Sequence, residues 1–260
     1  MKKILFFFSL FFILSCSSTE DEVEDTVPGT FKTNVLVEDI TGTWCGWCPR
    51  VAYKLQELQK TTSQLIVVAA HSGSTGSLDY EKVNEIRSTF GINTFPYGML
   101  NRTTKWNEQN SAITSLTGAA ATAGVAIESS ISDRDLTVTI KVGFSQDYTS
   151  LKYVIYILEN DLIANQANYA DLGYGSDNPL IDFVHKHVLR KALTSSPLGD
   201  AILDASSTSG SIFKKTHTYT IPVAYNKDKM EIVAFVVKSD KSVINARHSE
   251  FGKTQSFEEL

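Results

Sequence analysis

Two cysteines placed between a buried strand and a helix constrain this chain more than any other feature. The apolar run at residues 35–40 predicts a strand, and residues 49–60 predict an amphipathic helix. Between them, residues 44–49 read Trp-Cys-Gly-Trp-Cys-Pro, with the cysteines at positions 45 and 48. The free N–H groups and partial positive charge of a helix N-terminus favour a thiolate over a thiol. The motif therefore predicts thiol–disulfide exchange at Cys45 and Cys48.

The two thiols are expected to have different tasks. Cys45 follows the strand directly, so we expect it to be the exposed, attacking thiol, with Cys48 as the resolving thiol. Trp44 and Trp47 flank the pair and would form an apolar rim for a bound partner chain.

Two other interpretations of the cysteine pair stay open. One interpretation is that the pair is half of a zinc site, although no second Cys-x-x-Cys or closely spaced His pair lies nearby in the sequence. Alternatively its disulfide is only structural, although so small a loop adds little stability. We expect no metal and no cofactor.

The start of the chain predicts export and lipidation. Residues 1–15 have a short positive start and an apolar run too short to span a bilayer, as in a secretory signal peptide. Their end resembles a lipobox, so Cys16 would carry lipid; an ordinary signal peptide with an incidental cysteine is the alternative. Lipidation of Cys16 would leave the other two of the three cysteines as one pair. Residues 16–32 are predicted to be an acidic tether.

Charge limits the class of partner. The chain has 24 basic and 29 acidic residues, a net charge of −5, and lacks a basic cluster, which argues against nucleic-acid binding. Attachment to a membrane would come from lipid at Cys16. The expected protein partners are envelope proteins that contain cysteines or disulfides.

Two domains follow from the pattern along the chain. Residues 33–118 alternate strands and helices in the order β-α-β-α-β-β-α, which predicts a small α/β domain. Residues 119–260 are rich in alternating strands, which predicts an antiparallel β-sandwich. The fold class is thus α/β plus all-β. Within the second domain, residues 160–211 are interpreted as a long irregular segment, a kind of segment that is often functional; a strand without a clear sequence pattern is the alternative.

Residues 33–118 resemble thioredoxin-like domains, through the Trp-Cys-Gly-Trp-Cys motif and through Phe95-Pro96. The resemblance implies that Pro96 is in the cis form and packs across from the cysteines. It also implies that Phe95 offers backbone hydrogen bonds to a bound thiol substrate. A trans proline that opens an edge strand is the alternative.

The same resemblance gives a role to Asp39, which lies six residues before Cys45. It implies a buried acid that assists proton transfer at Cys48, and a buried carboxyl with a raised pKa suits that role. An ordinary acid at the end of a sheet is the alternative. Glu38 faces the other side of the strand, and the sequence leaves open which of the two acids is buried.

Nearly the whole chain after the signal peptide resembles the thioredoxin-fold outer-membrane lipoproteins of the Omp28-related type. The matching residues are 38–49, His71, 95–102, 185–193 and 243–246. The resemblance implies an outer-membrane, lipid-anchored location on the periplasmic or cell-surface face. It leaves open whether the cysteine pair oxidises, reduces or isomerises.

Three histidines are the remaining candidate site residues. His185 and His187 are predicted to share a strand face, either as a metal pair lacking an evident third ligand or as half-buried polar residues near the domain interface. His71 is predicted to approach the Cys45 loop and favour the thiolate, or to have a plain loop role.

Two functions fit these observations. One is an extracytoplasmic thiol–disulfide oxidoreductase. The other is a non-enzymatic outer-membrane binding or adhesion lipoprotein in which the disulfide is structural.

Overall fold

The computed structural model describes residues 26–74 and 78–260. The predicted signal peptide, the lipidation site at Cys16 and most of the predicted tether lie outside the described residues. The helices are α1 (Cys48–Gln59), α2 (Val83–Thr89) and α3 (Asn110–Thr114). The first strands are β1 (Phe31–Lys32), β2 (Val35–Thr41), β3 (Leu65–His71), β4 (Tyr97–Leu100), β5 (Thr104–Lys105), β6 (Ala120–Ala121), β7 (Ala123–Ser132) and β8 (Asp135–Phe144). The later strands are β9 (Lys152–Glu159), β10 (Leu162–Gln166), β11 (Leu180–His185), β12 (Val188–Ala192), β13 (Asp200–Ala201), β14 (Ile212–Thr220), β15 (Met230–Val237) and β16 (Val243–Glu250). Strands dominate and helices are few, in agreement with an α/β plus β chain.

The first part of the chain forms around β2 and β3, which are parallel and buried along their whole length. Continuous apolar runs suit strands that are covered on both faces. α1 places Val51, Leu55 and Leu58 against one face, so the predicted helix is confirmed to within one residue at each end. β4 runs antiparallel to β2 and pairs with β5, so the two consecutive strands of the predicted order form a hairpin. α2 and α3 are shorter than the sequence pattern indicates.

One sheet continues through both parts of the chain. Its strand order is β16-β15-β9-β12-β3-β2-β4-β5, with β13 paired to β9. The junction is the parallel pairing of β12 with β3, where the Ala69 N–H donates to the His187 carbonyl oxygen at 2.8 Å. One apolar cluster draws on both sides of residue 118, for example Leu36 and Val68 with Tyr156 and Phe235. The domain limits predicted from composition therefore fall within a continuous sheet and core.

A second, three-stranded antiparallel sheet has the order β14-β8-β7. Alternate residues of β8, including Val138, Ile140 and Val142, face inward, as the period of a strand with one buried face requires. They pack with Ile155 and Ile232 of β9 and β15. The sequence pattern predicts strands at residues 125–131, 136–144, 151–158, 212–223 and 231–237, and these are confirmed with small changes in their limits.

The prediction that residues 160–211 are irregular is wrong. This segment contains the two-stranded β10–β11 sheet, β12 and β13. The sequence pattern does not predict β10 and β11, because these strands are short and leave apolar residues such as Ile163 and Ile181 exposed. β16 was also not predicted. It carries buried polar residues, among them Asn245, where an apolar pattern expects hydrophobic ones.

Asn245 ties β16 to the beginning of the described chain. Its side-chain oxygen accepts from the backbone N–H of Asn34 at 2.9 Å. Its side-chain nitrogen donates to the carbonyl oxygens of Lys32 at 3.1 Å and Ala123 at 3.0 Å. One buried amide thus satisfies three backbone groups in two other segments, residues 32–34 and residue 123.

Replacing Asn245 with alanine is expected to destabilise the chain by about 2–4 kcal/mol, because buried backbone groups of those segments would lose their partners. Urea unfolding of the oxidised chain measures this loss. Asn93→Ala is the matched control, since Asn93 is exposed and donates one local hydrogen bond to Gly91. A loss for Asn245→Ala no larger than the control's would show that the amide is dispensable.

Candidate functional site

The cysteine pair lies where the sequence predicts, between the end of β2 and the start of α1. Cys45 and Cys48 form a disulfide with an S–S distance of 2.01 Å. α1 begins at Cys48, has Pro49 in its first turn and has no side-chain cap among the described residues. The Cys45 N–H donates to the Gly42 carbonyl oxygen, and the Cys48 N–H donates to the Cys45 carbonyl oxygen, both at 3.0 Å. The sulfur atoms are therefore held beside the positive end of a helix, which stabilises a thiolate in the reduced form.

The expectation that Cys45 is exposed is wrong. Only 5% of Cys45 is exposed, and Cys48 is buried as well. The reason is a segment of the second part of the chain, residues 166–169, which lies across the disulfide loop and which we call the strap. Gln166 of the strap donates to the carbonyl oxygens of Cys45 at 3.0 Å and Gly42 at 3.3 Å.

Two backbone hydrogen bonds fasten the rest of the strap. The Ala167 N–H donates to the Thr43 carbonyl oxygen at 2.8 Å, and the Tyr169 N–H donates to the Gly46 carbonyl oxygen at 2.9 Å. The Tyr169 ring lies over Gly46, so closely that a Cβ at residue 46 would be 2.4 Å from it. Glycine between the two cysteines is thus explained by the strap.

The predicted rim residues lie at the surface beside the disulfide loop. Trp44 and Trp47 are about half exposed, and the Trp44 ring packs against Phe95 with their centroids 5.2 Å apart. The Phe95–Pro96 peptide bond is cis, which confirms the predicted isomer. Trp47, Phe95 and Pro96 line a surface groove of about 260 Å³ together with Arg50 and Lys105.

Both acids at the end of β2 are buried, which answers the question the sequence left open. Glu38 is paired with Arg102, whereas Asp39 Oδ1 has no hydrogen-bond partner among the described residues. Burial, with a smaller contribution from the charge of Glu108, raises the pKa of Asp39 from 3.8 to about 7. A carboxyl group with this pKa exchanges protons readily near neutral pH.

Asp39 and Cys48 line the same small cavity, of about 40 Å³. His71 and His185 line it from β3 and β11, with their rings packed edge to face at 5.1 Å. Burial lowers the pKa of His71 to about 3, so its ring is neutral and supplies no positive charge to a thiolate. His71 therefore lies near the cysteine pair, but as a neutral group.

The prediction that His185 and His187 share a strand face is wrong. β11 ends at His185, and His187 follows in a turn with a positive φ of 54°. The His185 ring contacts His71, whereas His187 Nδ1 lies 2.6 Å from a carboxylate oxygen of Glu231. Among the described residues, no group of three or more His, Cys, Asp or Glu side chains is arranged to hold a metal ion.

Sequence reasoning missed Gln166, Tyr169 and the cavity role of His185. All three belong to the segment interpreted as irregular, and its length was the only signal that it carries function. The strap joins the disulfide loop through contacts between residues more than 120 positions apart.

The structure defines the class of the protein. It is a strand-dominated α/β protein with a Cys-x-x-Cys disulfide at the start of a helix. A sequence profile described as outer membrane protein Omp28 matches residues 83–255, more than half of the chain. The chain belongs to the Omp28 family, which confirms the resemblance and agrees with the expected outer-membrane location. The match begins after the cysteine pair and includes the strap. None of the described helices has the length and apolar character needed to cross a membrane.

One solved structure supports the fold. The chain is similar to HBP35 of Porphyromonas gingivalis, with 20% identity and a TM-score of 0.68 over 87% of this chain and 77% of that one. It also matches a domain of the outer membrane lipoprotein Omp28 from Porphyromonas gingivalis, with 18% identity and a TM-score of 0.35, over 52% of this chain and 92% of that one. No curated protein matches the chain. At these identities the first likeness concerns the fold alone.

Proposed function

We propose that the chain exchanges thiols and disulfides with cysteine-containing proteins of the cell envelope, while lipid on Cys16 anchors it to the outer membrane. The observation that carries this proposal is the Cys45–Cys48 disulfide at the start of α1. Asp39, whose pKa is close to neutral, lines the cavity that Cys48 also lines.

We also infer the folds of the two parts of the chain. A thioredoxin-like unit at residues 33–118 is supported by the parallel β2–β3 pair, by α1 after the cysteines and by the antiparallel β4 after a cis proline. A β-sandwich in residues 119–260 is supported by the packing of the β14-β8-β7 sheet on β9 and β15.

In the reducing direction the Cys45 thiolate attacks a substrate disulfide, and one substrate sulfur leaves as a thiolate. Cys48 then gives its proton to the Asp39 carboxylate and attacks Cys45 Sγ. The second substrate sulfur leaves, the Cys45–Cys48 disulfide closes, and two electrons have passed to the substrate. The same steps in reverse oxidise a substrate dithiol.

The partner chain would lie in the groove of Trp47, Phe95 and Pro96. This side of the disulfide loop carries exposed aromatic surface, and the strap covers another part of the loop. Arg50 and Lys105 make the groove basic at its rim, although Glu108 accepts from Arg50 at 2.8 Å and offsets part of that charge.

Reduction of a model protein disulfide by the pre-reduced chain tests the proposal. Cys45→Ser is expected to lower the rate to background, because the attacking sulfur is gone. Cys48→Ser is expected to accumulate a mixed disulfide on Cys45, because nothing resolves it. In cells, this variant should yield disulfide-linked envelope proteins on non-reducing gels.

A matched control carries one thiol elsewhere. Ser130 is exposed on β7, so Ser130→Cys in a chain lacking both Cys45 and Cys48 presents a free thiol without a helix N-terminus. If this control reacts as fast as the Cys48→Ser chain, the site has no special reactivity and the proposal fails.

The second candidate function is a binding lipoprotein with a structural disulfide. The burial of Cys45 under the strap favours it, because a buried disulfide is shielded from attacking thiolates. Its expected result is a disulfide that resists reduction by a small thiol in the folded chain and yields no mixed disulfides in cells.

A further inference from the structure

Two residues that line the small cavity behind the disulfide carry buried polar atoms without a hydrogen-bond partner among the described residues. They are Oδ1 of Asp39 and Nε2 of His185, and neither has a hydrogen-bond partner among residues 26–74 and 78–260. The two residues are 3% and 5% exposed. Both line the cavity of about 40 Å³ that Cys48 also lines. Unsatisfied buried polar atoms are costly, so two residues that line one cavity and carry one such atom each point to a common partner there.

The chemistry of the two atoms is complementary to water. The backbone carbonyl of Ala164 accepts a hydrogen bond from the His185 ring, which leaves Nε2 as the free nitrogen. Burial lowers the pKa of His185 to about 4, so the neutral ring presents a lone pair at Nε2. A water molecule can donate to that lone pair and still donate to, or accept from, the Asp39 carboxyl group. A polar cavity needs roughly 10–15 Å³ to hold one water, and this cavity exceeds that volume.

We propose that His185 is a positioning residue for the cysteine pair: it holds a water molecule against the Asp39 carboxyl group, and this water solvates Asp39 when it accepts the Cys48 proton. The inference rests on the proposed thiol–disulfide exchange for its role in catalysis, but not for the water site itself. His185 comes from β11 in the second part of the chain, whereas Asp39 and Cys48 come from the first. The proton-handling side of the site is thus completed by both parts of the chain.

Other titratable groups face the same cavity and enter any pH profile. Asp39 is on β2, Cys48 on α1 and His71 on β3, while Lys186 and His187 line it after β11. His71 does not compete for the proton near neutral pH, because its ring is neutral and its Nδ1 lies 3.2 Å from the Ser74 hydroxyl. The charge of Glu108 raises the Asp39 pKa from outside the cavity lining.

The test is a carbon-13 NMR titration of the Asp39 carboxyl group in the full chain with its disulfide intact, with Asp39→Asn used to assign the signal. His185→Phe removes the acceptor that holds the water, so the carboxylate loses solvation. Its titration midpoint is expected to rise by about one pH unit. His185→Gln keeps a polar group able to bond the water, and its midpoint is expected to stay within a few tenths of a unit of the unmodified chain's.

Phe183→Leu is the packing control, since Phe183 also lines the cavity and contacts the His185 ring. It is expected to leave the Asp39 midpoint in place. An unchanged midpoint in His185→Phe, or equal shifts in His185→Phe and Phe183→Leu, would overturn the proposal.

A second measurement uses the reduced chain. The pH of half-maximal rate for resolution of a mixed disulfide is expected to move upward in His185→Phe by the same amount as the NMR midpoint. Because the NMR titration needs no redox activity, a shifted midpoint in a chain that exchanges no disulfides would refute the proposed function and leave the water site standing. A normal exchange reaction with an unmoved midpoint would refute the water site alone.

Discussion

Replacing Arg102 with alanine is expected to destabilise the folded chain by about 3–5 kcal/mol, because it leaves a buried carboxylate without its cation. The Arg102 guanidinium donates to both carboxylate oxygens of Glu38, at 2.8 and 2.9 Å. It also donates to the Tyr156 hydroxyl at 2.8 Å and to the Pro197 carbonyl oxygen at 2.9 Å. The Arg102 and Glu38 side chains are each 1% exposed, so water cannot replace the lost partner.

Urea unfolding of the oxidised chain measures this loss. Arg50→Ala is the matched control, because Arg50 also makes a bidentate pair, with Glu108, but its side chain is 38% exposed. Exposed pairs contribute about 0.2–1 kcal/mol, so the control is expected to cost little. Similar losses for the two variants would show that the buried pair is not what joins these segments.

The pH dependence of stability is expected to change strongly when Asp39 becomes asparagine. The pKa of Asp39 is raised from 3.8 to about 7 in the folded chain, so between these values the folded state holds a proton that the unfolded state has released. Stability therefore falls as pH rises through this window, by at most about 1.4 kcal/mol per pH unit, and the loss is complete above the folded pKa. Asparagine does not titrate, so Asp39→Asn is expected to gain stability over the unmodified chain as pH rises.

Urea unfolding at pH 4.5 and at pH 8 measures this difference, with the disulfide intact at both. Other groups titrate across the range, but they are common to both chains and cancel in the comparison. Asp182→Asn is the control, since Asp182 is exposed on β11. A stability difference between Asp39→Asn and the unmodified chain that is the same at both pH values would contradict the raised pKa.

The sequence allowed the first part of the site to be predicted because its signals are local. Long apolar runs indicate β2 and β3, and the spacing of Val51, Leu55 and Leu58 indicates α1. A strand followed at once by a helix then leaves the cysteines at the junction. The cis bond before Pro96 came from the resemblance and is confirmed.

What could not be predicted depends on contacts between distant residues. The pairing of Glu38 with Arg102 joins β2 to the turn after β4, and no local sequence pattern predicts this pairing. The strap, which holds Gln166, comes from short strands with exposed apolar residues, where hydrophobic alternation is weak. The exposure of Cys45 was therefore misjudged, because the segment that buries it had not been recognised as structured.

Several residues that carry the resemblance to the Omp28 family stabilise the fold. Glu38 and Arg102 pair in the core, and Asn245 joins β16 to two other segments. Among the matched residues, the cysteines, Asp39, Pro96 and His185 are candidates for chemistry. A motif shared with a family thus mixes residues that hold the two parts together with residues that face a partner.

The pairing of β3 with β12 has a consequence for dividing the chain. A fragment that ends at residue 118 would turn Leu65–His71, apolar on both faces, into an edge strand with unpaired backbone groups. Such an edge is a template for intermolecular β-pairing and aggregation. The cysteine-bearing part is therefore expected to aggregate when it is produced without the part that follows it.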